Sequence, residues 1–268
     1  MRWLLALMLV LASSGCQEVR ALNAMTRSVA SFQPWPDDAR VRFQPGAEKN
    51  ARIVAAALDQ ATARVERVQS AFAKPVVVYL PTDLSQYARY CASRQSSACV
   101  INQRLFISPK PVNTPERIPR LLTHELSHLQ MEQHLGLWRW MLDAPVWFQE
   151  GLAVFVSGGA GAEKVTPRQA TQALREGRGF TPNVRGRLLF RKSAHRFGLK
   201  PHMFYRQAGM FVVWLHDSDP VCFRAMLKRM QSDTPLEQAM RQSCGAGVED
   251  KWREFIRQVR TGEHESSF

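Results

Sequence analysis

From Ala47 to Ala73 the chain is dense in helix formers. Ile53, Ala57, Leu58, Ala61, Val65 and Val68 recur at three- and four-residue steps, which predicts one amphipathic helix. Pro75 ends it, because proline has no amide proton to donate and crowds the preceding turn. The run VVVYL at 76–80 reads as a buried strand and Pro81-Thr82-Asp83 as a turn. CVINQRLFIS at 99–108 alternates in character and reads as a second strand. Ahead of these, residues 17–46 look irregular around Pro34, Pro36 and Pro45, after a short helix near Val19–Val29.

A connector from Pro109 to Pro119 leads into a helix over Ile118–Leu135, which Gly136 can terminate. Pro145 suits the first turn of the next helix, VWFQEGLAVFVS, and Gly158-Gly159-Ala160-Gly161 breaks it. A short helix runs from Pro167 through Leu174. The Gly- and Arg-rich stretch 177–200 reads as a loop lying over a cleft. Helices are expected at 201–216, 220–231, 235–243 and 248–260, the last with Trp252, Phe255, Ile256 and Val259 at core spacing. Strands first and helices later predict an α+β fold: a small N-terminal sheet followed by a mainly helical C-terminal part.

The N-terminus bears on compartment. Met1-Arg2 precedes WLLALMLVLA, a ten-residue apolar run too short to span a bilayer as a helix. A basic start, a short apolar core and small residues after it read as a signal peptide over 1–15. Leu11-Ala-Ser-Ser-Gly-Cys16 resembles a bacterial lipoprotein signal, with Cys16 as the lipidated residue; Ser13 stands where that pattern usually has Leu, Val or Ile. The expected location is the bacterial periplasm or the outer membrane, with a membrane tether through Cys16. Four further cysteines, Cys91, Cys99, Cys222 and Cys244, agree with an oxidising compartment and two bridges, although four cysteines allow three pairings. A Cys91–Cys99 bridge would staple a small loop, and Cys222–Cys244 would tie two late helices.

The 268-residue chain carries a formal charge of +13. Its basic residues are scattered and no stacking-and-charge nucleic-acid motif is present, so the charge reads as solubility and general steering, with no nucleic-acid partner.

Chemistry enters at HELSH, His124 to His128. On a helix, residues four apart stand on one face, so His124 and His128 can present two imidazole nitrogens to one metal. Glu125 lies beside them, placed to take a proton from a metal-bound water. A catalytic site needs a third protein ligand. His134 has the spacing of the third histidine in HExxHxxGxxH, but Met131 occupies the position of the turning glycine. If the helix continues, six residues advance the face by about 240° net, away from the metal. Glu150, in PVWFQEGLAVF, is the better candidate. A carboxylate among apolar residues is costly unless it is paired or bound to metal, and Gly151 would let the motif helix and this one approach closely.

Carried by His124, Glu125, His128, Trp147, Glu150 and Gly151, the sequence resembles the gluzincin metallopeptidases. Within them it is similar to the thermolysin-like, peptidase MA-like proteins, in which a W-hydrophobic-x-E-G helix follows the HExxH helix. The resemblance implies a zincin-like domain over 47–262, with Zn2+ held by His124, His128 and Glu150 and Glu125 as general base. It also implies that the strand before the motif helix, here CVINQRLFIS, pairs with extended peptide substrate. Family members often carry Asp four residues after the ligand glutamate, to hold a metal-binding histidine; here that residue is Val154, with Asp143 or a backbone carbonyl as replacements. An oxyanion stabiliser is expected on a later segment. Tyr205 is the first candidate for it, ahead of His195 and His202, while the arginines of 185–196 read as a solvated cluster.

The function expected is a zinc-dependent endopeptidase-like hydrolase of the cell envelope. The rivals are an envelope binding or scaffold protein with an unused site, a metal-free structural domain, and a cell-wall amidase using the same chemistry.

Overall fold

The computed structural model describes residues 23–91, 94–184 and 193–263. The expected leader over 1–15, Cys16, and most of the arginine cluster therefore lie outside the described residues. The described chain forms two compact units. One comprises residues up to 58 together with 75–118, and the other 59–74 together with the chain from 119 onward.

The first unit is built on a five-stranded mixed sheet: β1 (Gln33–Trp35), β2 (Asp38–Phe43), β3 (Val78–Leu80), β4 (Ala98–Ile101) and β5 (Arg104–Ile107). The strand order is β1-β2-β3-β5-β4. β2, β3 and β5 run parallel, while β1 and β4 pair antiparallel at the two edges. Two expectations change here. Residues 33–43 are not irregular: DARVRF alternates, burying Val41 and Phe43, and the prolines beside it belong to the edge strand β1 and its turn, where a missing donor is tolerated. CVINQRLFIS is not one strand but a hairpin. Asn102 and Gln103 both adopt positive φ (49° and 57°), as a two-residue type I′ turn requires.

Phe32, Tyr87, Tyr90 and Phe106 make the aromatic centre of this unit. Helix α2 (Leu84–Cys91) supplies the two tyrosines, and the Cys91–Cys99 disulfide ties its end to β4. The Arg104 guanidinium donates to the carbonyls of Ala24, Met25 and Arg27, holding the segment before β1.

Helix α1 (Glu48–Gln69) joins β2 to the segment leading to β3, and the boundary between units falls within it. It stops four residues short of the expected end. Ser70 takes a φ of 85°, and the Gln130 side chain donates to the Gln69 carbonyl at 3.0 Å.

The second unit is helical. Its helices are α3 (Ile118–Asp143), α4 (Val146–Ser157), α5 (Pro167–Arg175), α6 (Pro201–Ser218), α7 (Pro220–Gln231), α8 (Leu236–Cys244) and α9 (Val248–Thr261). Gly136 interrupts α3 with φ 73° and ψ 159°, so the motif helix ends at Leu135 as the sequence indicates and a short second run follows. The Cys222–Cys244 disulfide ties α7 to α8. Trp147, Phe180, Phe211, Trp252 and Phe255 form a continuous aromatic core. Of the loop expected over 177–200, residues 185–192 lie outside the described residues, and Phe180 anchors the first part. Its ring is buried in that core, and the Asn183 carbonyl accepts a hydrogen bond from Trp147 Nε1 at 2.9 Å.

In chain order, then, a small open mixed sheet precedes a mainly helical region, and the HELSH helix starts where the one gives way to the other. This is a zincin-like α+β fold.

Candidate metal centre

Thr123, Ser127 and Gln130 are buried along α3 with Leu122, Leu126 and Leu129, so little of this helix faces water. His124 is buried with them, while Glu125 and His128 beside it are half-buried. One helical turn apart, the two imidazoles bring their Nε2 atoms to 3.3 Å of each other. The Trp140 ring lies near that of His128, with centroids 6.0 Å apart.

Helix α4 starts after a tight return. Gln149 donates its side-chain amide to the carbonyls of Trp140 and Ala144, at 3.0 and 2.6 Å, and so fastens the first turn of α4 to the end of α3. Most of α4 is buried, on all sides, and its contact with α6 at Gly151 and Ala208 together with the Gln149 bonds sets its rotation. Glu150 is thereby aimed back at α3. Its Oε2 lies 3.4 Å from His124 Nε2 and 3.7 Å from His128 Nε2.

Those three separations test whether an ion fits. A four-coordinate divalent metal with ligands about 2.0–2.1 Å away holds neighbouring donors roughly 3.3–3.4 Å apart, the edge of its tetrahedron. The observed 3.3, 3.4 and 3.7 Å agree to within a few tenths. Two neutral nitrogens and one carboxylate oxygen also make a donor set suited to a borderline cation. The arrangement matches the active site of a thermolysin-like gluzincin. A buried His-His-Glu cluster of this kind supports a metal-dependent, enzyme-like hydrolase over a purely structural protein. No protein-family model matches the chain, and no curated protein matches its sequence.

The electrostatics are those of a tightly coupled cluster. Burial would raise the Glu150 carboxyl, but hydrogen bonds to His124 and His128 outweigh it and hold the group well below the usual carboxylate range. Burial would push the His124 imidazole down; Glu150, with Glu125 adding, outweighs that and holds it above its ordinary value. Glu125 is raised, by burial and by the like charge of Glu150, against the opposing pull of the two histidines. A carboxyl lifted in this way keeps more affinity for a proton, as a base that must hold and release one requires.

His134 stands apart from the cluster, its Nε2 3.0 Å from the Ala71 carbonyl oxygen. Asp143 does not replace the missing carboxylate, because it is drawn to Arg139 on its own helix, at 3.0 Å. Val154 is fully buried. The backbone carbonyl of Ala160 interacts with the His124 imidazole and favours its protonated form. Nδ1 is shut off from water and closes no hydrogen bond of standard geometry, so Ala160 is the acceptor at hand. Tyr205, on α6, reaches the same region: a β-carbon on Gly161 would lie 3.1 Å from His124 Cε1 and 3.2 Å from Tyr205 Cδ2. His202 lies one turn earlier on α6, with Nδ1 3.7 Å from Glu163 Oε2. His195 is exposed in a short 3-10 turn over Ala194–Phe197.

Gly151 does bring two helices together, but not α3 and α4. Its backbone meets Ala208 on α6. The sequence reading also missed the segment after α4. Gly158 ends that helix in the left-handed region, and Gly159 N–H returns to the Val154 carbonyl at 2.8 Å. The glycines that look like a plain helix break thus turn the chain back to lay Ala160 and Gly161 on the His124 ring. Three glycines of four residues were the only available signal, and it does not say what the turn returns to.

Proposed function

We propose that this chain is a zinc-dependent endopeptidase of the bacterial cell envelope. The observation that carries the reading is the trio of donor separations at His124, His128 and Glu150, all close to a tetrahedral edge. Zinc is favoured because two imidazoles and one carboxylate, with a position left for water, form one of its catalytic ligand sets. When bound, the ion supplies a Lewis acid that acidifies a water and polarises a carbonyl.

The protein's own groups do the rest. Glu125 takes the proton of the attacking water and returns it to the departing amine, a role its raised carboxyl suits. Tyr205, which shares Gly161 as a neighbour with His124, donates a hydrogen bond from its hydroxyl to the developing oxyanion. Glu150 stays ionised throughout and keeps the two imidazoles aimed at one point.

Peptide is the proposed substrate. β4 is an edge strand, and an extended peptide adds to a sheet at such an edge through main-chain hydrogen bonds. Export is supported by the two disulfides, which persist in oxidising compartments. Lipidation at Cys16 would tether the exported protein to a membrane.

The test is metal analysis of the purified chain together with cleavage of a peptide library by the native protein and by Glu125→Gln. About one zinc per chain, with turnover in the native protein alone, is expected. Protein free of metal, or a variant as active as the native chain, overturns the reading.

A further inference from the structure

Arg206 is only 8 % exposed, yet it lies outside the metal cluster and outside the chemistry assigned above. It belongs to α6 and points into the turn that follows α4. Its Nε donates to the Val165 carbonyl at 2.8 Å and its Nη2 to the Ala162 carbonyl at 3.2 Å. The plane of the guanidinium lies over Gly159, whose β-carbon, if it had one, would come 3.5 Å from Nη2 and 3.6 Å from Nη1. Burial weakens the protonated guanidinium, and the negative charge of Glu163, in the same turn, offsets that in part. The turn also bonds to itself: Ala162 N–H donates to the Gly159 carbonyl and Val165 N–H to the Ala162 carbonyl, each at 3.1 Å.

The residues gripped at both ends of this turn enclose the two that touch His124. Gly161, at φ 83°, lies against the imidazole edge, where a β-carbon would come 3.1 Å from Cε1 and 3.6 Å from Nδ1, and the carbonyl of the preceding residue, Ala160, interacts with the same ring. An imidazole that ligates through Nε2 needs its Nδ1 proton held by an acceptor on the far side, which fixes both tautomer and ring angle. A backbone carbonyl serves only as well as its segment is held. Resting on the metal-centre reading above, we infer that Arg206 is a positioning residue for the site: by clamping the 159–165 turn it aligns Ala160 and Gly161 and so orients His124 toward the metal. Lysine cannot substitute fully, because a single ammonium lacks the planar fork that spans two carbonyls.

Arg64 provides the control. Its Nε donates to the Val156 carbonyl at 2.5 Å and its guanidinium packs on Gly158, so it fastens the start of the same segment without touching the residues behind His124. The experiment uses the full chain loaded with Co2+. The dissociation constant is measured by chelator competition and the visible ligand-field spectrum is recorded, for native protein, Arg206→Met, Arg206→Lys and Arg64→Met. Thermal unfolding of the metal-free forms runs alongside.

Arg206→Met is expected to bind cobalt about 10–100-fold more weakly with an altered spectrum, as loss of a partner behind a ligand typically does. Arg206→Lys should fall between it and the native protein. Arg64→Met should keep native affinity and spectrum whatever its unfolding temperature. Native cobalt affinity and spectrum in folded Arg206→Met overturn the inference, and so does an equal loss in Arg64→Met. Should Arg206→Met fail to fold, Arg206→Lys and Gly161→Ala decide. Both should bind more weakly, the second because its β-carbon presses on His124 Cε1, and native affinity in both overturns the inference. If the native chain takes up no cobalt, the metal-centre reading falls and this falls with it; if it does and the variants match it, only the role of Arg206 falls.

Discussion

A β-carbon on Gly151 would lie 2.6 Å from the carbonyl oxygen of Ala208, so the backbones of α4 and α6 are in direct contact beside the proposed metal ligand. The atom in the way is main chain, which cannot swing aside as a side chain can. Gly151→Ala is therefore expected to lower stability by about 1–3 kcal/mol, the usual cost of overpacking. Because Glu150 is the next residue, metal content should fall too. Thermal unfolding and elemental analysis of the same preparation check both.

Glu150→Ala should lose most bound metal, since two imidazoles alone leave a weak site. His134→Ala should retain it, because that ring is occupied with the Ala71 carbonyl. Elemental analysis of the two variants decides between these third ligands; the reverse result would make His134 the ligand.

Glu125→Gln should keep metal at the native level while peptide cleavage falls by at least about 100-fold, as expected when a general base is removed. The amide keeps the shape and removes the basic oxygen. Metal content and turnover are measured together, so loss of the ion is not mistaken for loss of the base.

Tyr205→Phe removes one hydroxyl from a half-buried ring. A loss of about 10²-fold in kcat with metal content and KM nearly unchanged is expected, in the range found when one oxyanion donor is deleted. Native kcat in the variant would return Tyr205 to a packing role beside Gly161.

Asp38 tests a group away from the site. Hydrogen bonds from Arg40 hold its carboxyl below the usual value, against a smaller opposing effect of burial. A folded-state pKa below the unfolded one gives stability that is present above the unfolded value and lost as pH falls through the folded value. Asp38→Asn should cost at most about 1 kcal/mol at neutral pH, given the exposure of Arg40. Its denaturation midpoint should converge with that of the native chain in acid.

The elements of the second unit were legible because their signals are local. HELSH and WFQEG sit on helices whose apolar spacing, Pro145 and Gly136 are read directly from the chain. Both disulfides follow the expected pairing. The first unit was read less well. Prolines at 34 and 36 masked the alternation of DARVRF, and the Asn102-Gln103 turn carries no glycine to announce a hairpin.

By itself, then, the sequence determined which residues can ligate a metal and which helix faces carry them, because a turn of helix sets the spacing of His124 and His128 regardless of the rest of the protein. Only the tertiary structure decided what surrounds them. Glu150 reaches the histidines because Gln149 and the close approach of Gly151 to Ala208 fix the rotation of α4. His124 is met by Ala160 and Gly161, 36 and 37 residues further on, and Arg206 holds that turn from another helix. Contacts of that kind depend on where distant backbones come to rest, and a carbonyl acceptor leaves no mark in the sequence because every residue has one.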